Sequence, residues 1–458
     1  MFLRSTLLLF CVSNLVAQGL ETSLVNESSK VIDSQISENW IENIKKSKYL
    51  SLETIRSLSL KKSTLLESNQ IRERIAFIGT KKSFSGMLPK VMFNSQHAYL
   101  NEKTLVQKMA SNDDGAYSFS LLSEWLIYDG MINLNRYKNS KLALGTEKLS
   151  SELNKRNLIR LVTNKYYAGV LILAQMNQKK TDIKFEKENL KIANHKFKAG
   201  VSSLSDVLNF ELRVANAENA LIDFKLQWKN ILTDLATLCS IDPIHLQHLK
   251  TFKYDITAPN VTKNVQILRD DAVKNREELK IKNLVSKINE NNVKISRMQY
   301  SPRVSLFHQY NSSDTSKISG YHKDKDASAI GIKLQLNLFQ GLKKHYQIIE
   351  DQSHLRLSQV DVQDAISSLL QEVTKQYDTV KSLYSQMKLD KKALDVSRKK
   401  REIVQAEYTS GKVDVLRLND AQNTYSTAET KYKLTQIYYA QAVEELRLQT
   451  VPSEDFNE

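Results

Sequence analysis

Hydrophobic and polar residues alternate along parts of this chain with the period of a strand and along others with the period of a helix. From Ala327 to Gly341, in ASAIGIKLQLNLFQG, residues Ile330, Ile332, Leu334, Leu336 and Leu338 alternate with Gly331, Lys333, Gln335 and Asn337, which predicts a β-strand with one apolar and one wetted side. AYSFSLLSEWLIYDG, which ends at Gly130, places Tyr117, Phe119, Leu121, Trp125 and Ile127 on one side and Ser118, Ser120 and Glu124 on the other. A shorter run opening at a proline precedes each: Lys90 to Leu100 after Pro89, and Arg303 to Tyr310 after Pro302. The linkers NEKTLVQKMASNDD and NSSDTSKISGYHKDKD between them are polar, so two β-hairpins are expected, at about 90–128 and about 303–340.

Four strands of roughly 9–11 residues have the length that crosses a bilayer when tilted. Four cannot close a pore, and open edges are not tolerated in hydrocarbon, so several chains would have to pool them. An ordinary sheet on a soluble core would alternate too, but it leaves unexplained why both hairpins interrupt helical sequence.

The rest reads as helix. Gly130 to Gly200 and Gly341 to Gly411 are proline-free, with internal glycines only at Gly145 and Gly169. Within the second stretch Val362, Ile366, Leu369, Val373, Tyr377, Val380, Tyr384 and Met387 recur at steps of four and three. An unbroken helix of that length approaches ~100 Å at ~1.5 Å per residue. After Gly411, Ala421, Tyr425, Ala428, Tyr432, Thr435, Tyr439, Ala442 and Leu446 form a coiled-coil seam whose alanines let helices approach closely.

The chain is also written twice. FKAGVSSLSDVLNFE around Gly200 and YTSGKVDVLRLNDAQ around Gly411 stand 211 residues apart, as do Gly130 and Gly341, while Pro89 and Pro302 stand 213 apart. The expected organisation is a first repeat over 20–236, a connector over 237–277 broken by Pro243 and Pro259, a second repeat over 278–450 and a tail over 451–458. Met1 to Gly19 has one basic residue, an apolar run and small residues near its end, the outline of a secretory signal peptide.

Composition narrows the function. Twelve glycines and five prolines in 458 residues leave few places to turn, which suits long helices. The formal charge of +15 comes from scattered lysines, with no basic stripe interleaved with aromatics, so no nucleic-acid partner is expected. Cys11 and Cys239 make no disulfide framework, and His245 and His248 lack a Glu or Cys to complete a metal set. No nucleotide-binding, hydrolase or metalloprotease motif occurs, so neither catalysis nor a cofactor is expected.

Taken in order, LQLNLFQG before a helix, SPRVSLF entering a strand, FKAG followed by LSDVLNFE, and YTSG followed by VLRLNDAQ resemble the TolC-like outer-membrane efflux protein family, over about residues 45 to 450. The resemblance implies a mainly α fold with a small β part. Long antiparallel helical hairpins would form an α-barrel, and two β-hairpins would give four strands to a trimeric twelve-stranded β-barrel. It implies a homotrimer in outer-membrane lipid of a Gram-negative bacterium, with a large periplasmic helical part. A periplasmic adaptor protein and an inner-membrane pump would be its partners in efflux or type I secretion. The connector would sit at the equator of the helices. A pore-free coiled-coil adaptor is the rival reading.

The same resemblance implies a periplasmic gate. Asp206 would accept from the Tyr408 phenol and the Lys412 ammonium. Arg417 stands where some members carry the first of two entrance acids, and Asp420 matches the second, so Asp420 would be paired with Arg417 and the cation preference weakened. Each of these, taken alone, also reads as a solvated turn residue. Gly200 and Gly411 would turn the helical hairpins, and Gly130 and Gly341 would turn strand into helix.

Overall fold

The computed structural model describes residues 49–99, 115–246, 251–253, 264–314 and 326–452. The expected signal peptide, His248, Pro259, the first hairpin linker and most of the second lie outside the described residues. In chain order the elements are β1 (Tyr49–Ser51), α1 (Leu52–Lys62), α2 (Thr64–Ser85), β2 (Lys90–Tyr99), β3 (Gly115–Tyr128), α3 (Ile132–Lys198) and α4 (Leu204–Leu238). There follow β4 (Thr251–Lys253), α5 (Val265–Asn275), α6 (Glu277–Met298), β5 (Arg303–Asp314), β6 (Asp326–Gln335), α7 (Lys343–Thr409) and α8 (Val415–Thr450).

The chain is mostly helical with a small antiparallel sheet. Helices α3 and α7 run 67 residues each, unbroken because no proline removes a backbone donor within them. Their starts, Ile132 and Lys343, and their ends, Lys198 and Thr409, both stand 211 apart, as do the starts of α4 and α8. The stripe from Val362 to Met387 is buried or half-buried throughout, as is the α8 seam from Ala421 to Leu446.

The described residues fall into two compact units. The first draws on the described residues within Met1–Lys62, Leu161–Ala258 and Gln386–Tyr438. In it β1 pairs in parallel with β4, which brings the connector onto the helices. Phe252 of β4 is buried, stacks on Tyr166 at 4.6 Å and meets Trp228 at 4.7 Å. Gly169 faces this ring so closely that a Cβ there would stand 2.3 Å from it, so a glycine inside α3 is required for the seat.

The second unit draws on the described residues within Ser63–Arg160, Pro259–Ser385 and Tyr439–Glu458. The fully buried Arg156 binds both carboxylate oxygens of Glu277 at 2.8 Å and donates to the carbonyls of Leu448 and Val451, tying the start of α6 and the end of α8 to α3. Such a bidentate pair positions more than it stabilises, but breaking it would strand a buried charge.

The same unit holds the sheet, in the order β2-β3-β5-β6 and antiparallel throughout. Strand β6 stops at Gln335, short of the expected end near Gly341. Gln335 pairs with Arg303, the first residue of β5, so Leu336 onward has no ladder partner among the described residues. Strand β3 does reach Tyr128 because β5 receives it, with an irregularity between Leu126 and Tyr128. The register places Val91, Phe93, Leu121, Trp125, Val304, Leu306, Ile332 and Leu334 on one face. Lys90, Asn94, Ser120, Glu124, Arg303, Ser305, Lys333 and Gln335 share the other.

Candidate functional site

In the first unit both helical hairpins turn by one backbone design. After α3, the Val201 N–H donates to the Lys196 carbonyl and the Gly200 N–H to that of Phe197. After α7, Lys412 donates to Glu407 and Gly411 to Tyr408. This is the six-to-one, five-to-two pattern that closes a helix when the residue past its end takes positive φ. The turn glycines Gly200 and Gly411 have φ of 73° and 77°, and the strand-to-helix glycines Gly130 and Gly341 have φ of 72° and 58°.

The next helices begin on matching caps. The Ser203 hydroxyl accepts from the Asp206 N–H while the Asp206 carboxylate accepts from the Ser203 N–H, a capping box. In the second hairpin the Asp414 carboxylate accepts from the Arg417 N–H at 2.9 Å. Asp206 also accepts from the Ser202 hydroxyl at 2.5 Å on the same oxygen, so its Oδ2 is engaged within its own turn.

Tyr408 lies in an apolar cluster with Ala193, Val207, Phe210, Val404, Leu418 and Ala421. Its ring centroid is 6.5 Å from that of Phe210. Burial, and then the negative charge of Asp206, push its phenol above the ordinary tyrosine range. The cation that meets it is Lys196. The Lys196 Nζ donates to the Tyr408 carbonyl at 2.6 Å and lies 3.9 Å from the ring centroid, so one ammonium caps the last turn of α7 and covers its aromatic face.

Lys412 and Arg417 are exposed, and among the described residues neither side chain makes a hydrogen bond or ion pair within the chain. The expected pairing of Asp420 with Arg417 is corrected: Asp420 bonds to Lys400 of α7 at 3.0 Å. On α8, Arg417 and Asp420 are three residues apart, but Lys400 reaches Asp420 across the hairpin. The chain thus brings Tyr408 near Asp206 and leaves Lys412 and Arg417 outside that contact. Lys196 was missed in the sequence. Its signal there is position: it lies one residue before Phe197, which stands 211 residues before Tyr408.

Farther from the turns, a recess of about 230 Å³ is lined by Lys179, Asp182, Glu186, Arg213, Gln422 and Asn423 among others. Arg213 binds Glu186 at 2.8 Å and Asn423 at 3.1 Å, and the Ser426 hydroxyl donates to Asp182 at 3.1 Å. Hence α3 and α4 are joined to α8 by polar bonds inside the bundle. Burial raises the Glu186 carboxyl above its ordinary range, with Arg213 opposing and Asp182 reinforcing. No group of three or more metal-ligating side chains occurs among the described residues.

Long helical hairpins and a four-stranded antiparallel sheet define a fold class, mostly helical with a small sheet, that solved outer-membrane proteins share. The chain is similar to the outer membrane protein VceC of Vibrio cholerae, with 14% identity and a TM-score of 0.77 over 89% of this chain and 96% of that one. It is similar to the Campylobacter jejuni CmeC outer membrane channel, with 16% identity and a TM-score of 0.76 over 89% and 86% of the two chains. CusC gives 12% identity and a TM-score of 0.77 over 88% and 92%. Residues 268–450 match the model of one particular family, outer membrane efflux protein, so that family's sequence pattern is present over those residues. Comparison with curated protein sequences finds no match.

Proposed function

We propose that the chain is the outer-membrane exit duct of a tripartite efflux pump or type I secretion system. It would passively conduct what a periplasmic adaptor and an inner-membrane pump deliver. The sheet carries this reading. Its strands are 10, 14, 12 and 10 residues long, one face exposes Val91, Phe93, Trp125, Ile330, Ile332 and Leu334, and β2 and β6 are edges without a partner among the described residues. Lipid suits such a face, and hydrocarbon forbids the edges, so β6 of one copy pairs with β2 of the next. Three copies close twelve strands. No described helix is long and apolar enough to cross a membrane, which leaves the strands as the spanning elements of this proposal.

The helices support a multi-copy wall. Leu208, Ala215 and Ile222 of α4 form an exposed row at heptad spacing, and Leu389, Val396 and Ile403 of α7 form another. Because α4 leaves its turn and α7 approaches its own, the rows match in antiparallel order: Leu208 with Ile403, Ala215 with Val396, Ile222 with Leu389. Glu211 and Asp223 flank the first row, and Lys392 and Lys399 flank the second. We read the 211-residue offset as an internal duplication with boundaries at 20–236 and 278–450, joined by the connector.

The gate of this duct lies at the Gly200 and Gly411 turns, with Tyr408, Asp206 and Lys196 as its contacts and Lys412, Arg417 and Asp420 beside them. Conductance of the purified protein in planar bilayers tests the reading, with Asp206→Ala or Tyr408→Phe expected to raise it. Unchanged conductance in both variants sinks the gate. Release of the protein from membranes by high salt, without heat-modifiable oligomers, would instead favour the pore-free adaptor.

A further inference from the structure

The polar face of the sheet is not evenly charged. At the end where the strands meet the helices, Lys90 stands opposite Glu124, Lys333 opposite Ser305, and Arg303 opposite Gln335. The Ser305 hydroxyl donates to Glu124 at 3.0 Å. With Arg136 of α3, these side chains line an open recess of about 440 Å³. Asp129 lines it too, and its carboxylate accepts the Asn133 N–H at 2.8 Å. Among the described residues, Lys90, Arg136, Arg303 and Lys333 form no ion pair within the chain.

Farther along the same face the residues are neutral: Asn94, Gln96, Ser118, Ser120, Gln309 and Asn311. Each copy therefore brings three strand cations and one strand acid to this level, with Arg136 adding a positive charge from the helix and Asp129 a negative one from the turn before it. At the hairpin turns the acids are already engaged: Asp420 is held by Lys400, and Asp206 caps its own helix. On the polar face of the sheet the uncompensated charge lies at the end beside the helices.

We infer that Lys90, Arg303 and Lys333 form a basic belt that makes the duct prefer anions, so that negatively charged solutes are the class it passes most readily. The inference rests on the proposed duct, in which copies close the sheet and turn its polar face inward. A ring of one sign facing a water-filled lumen with low-dielectric walls raises the local concentration of the opposite ion and repels its own. Glu124 moderates the belt from within.

Reversal potentials of single channels in a KCl gradient test this. The wild type is expected to pass chloride over potassium at ~0.1 M salt. Raising the salt to ~1 M shrinks the screening length to about 3 Å and should bring the ratio to about one. The triple variant K90Q/R303Q/K333Q should lose the preference, Lys333→Glu should reduce it, and Glu124→Gln should strengthen it. Heat-modifiable migration of each variant reports that it has folded. A wild-type channel that conducts but favours potassium, or a folded triple variant with unchanged selectivity, overturns the belt and leaves the duct standing. No conductance from folded wild-type protein overturns the duct reading itself.

Discussion

The two hairpin turns share a backbone and differ in almost every side chain. Phe197 and Tyr408 hold the same place, 211 residues apart and three before their glycines, yet Phe197 is 42% exposed and Tyr408 only 4%. Lys196 corresponds to Glu407, Ser203 to Asp414, and Asp206 to Arg417. The repeated backbone fixes where the chain reverses. The differing side chains make one turn the donor and the other the receiver of a contact, because Lys196 reaches across to Tyr408. Two identical turns would have put a lysine beside each aromatic or beside neither.

The comparison breaks most decisively at the aromatic pair. Tyr408→Ala removes a ring packed against Val207, Phe210 and Leu418, and should cost about 3–5 kcal/mol in denaturant unfolding of the purified protein. Phe197→Ala, at the exposed counterpart, should stay within about 0.5 kcal/mol. Similar losses at both positions would mean that the turns are equivalent after all.

Lys196 is the next lever. Lys196→Met keeps the aliphatic stem and removes the ammonium, so it gives up the bond to the Tyr408 carbonyl and the contact with the ring, about 1–3 kcal/mol together. Lys196→Arg keeps a cation that can do both and should restore most of it. In the Tyr408→Leu background the loss from Lys196→Met should shrink, since the ring contact is gone. Glu407→Gln, at the matching place in the second turn, should change little. A loss at Lys196 that is the same with or without the ring would leave only the carbonyl bond as its basis.

What could be read beforehand follows the reach of each interaction. Helix period, strand alternation and turn glycines are local, and Gly130, Gly200, Gly341 and Gly411 all proved to have positive φ. The end of β6 was not local: Leu336 and Leu338 continue the alternation but lack a partner strand among the described residues, so the pattern outran the ladder. The contacts at the turns failed for the same reason. Asp420 had two cations available, Arg417 by sequence and Lys400 across the hairpin, and only packing of α7 on α8 decides between them. Lys196 was invisible because nothing in one hairpin announces which side chain of the other will lie over it.

The glycines test the shared part of the design. An added Cβ at Gly200 or Gly411 meets nothing within 4 Å, so substitution by alanine costs only the left-handed backbone, about 1–2 kcal/mol at each. Equal losses, measured by urea unfolding of Gly200→Ala and Gly411→Ala, are expected because the two φ values are nearly the same. Unequal losses would show that one turn relaxes where the other is held, and Lys196 predicts that Gly411 is the one held.

The smallest effect lies deeper in the bundle, where positions 211 residues apart differ in whether they can be titrated at all. Glu186 corresponds to Ser397, and both are buried, but the serine only donates to the Leu394 carbonyl whereas the glutamate carries a charge against Arg213. Burial outweighs Arg213 and raises the Glu186 carboxyl. A raised value means that the folded chain binds this proton more tightly than the unfolded chain does. Its stabilising contribution is complete below the unfolded value and is lost as pH rises through the folded one. Unfolding followed from pH 7.5 down to pH 4.5 should therefore show a gain at the acid end in wild type that Glu186→Gln lacks, while Ser397→Ala leaves the pH dependence unchanged. Other carboxylates titrate over the same range, so the difference between wild type and Glu186→Gln is the measurement that counts. Should that difference be flat, Arg213 must offset burial fully, and the first hairpin would then be no more sensitive to acid than the second.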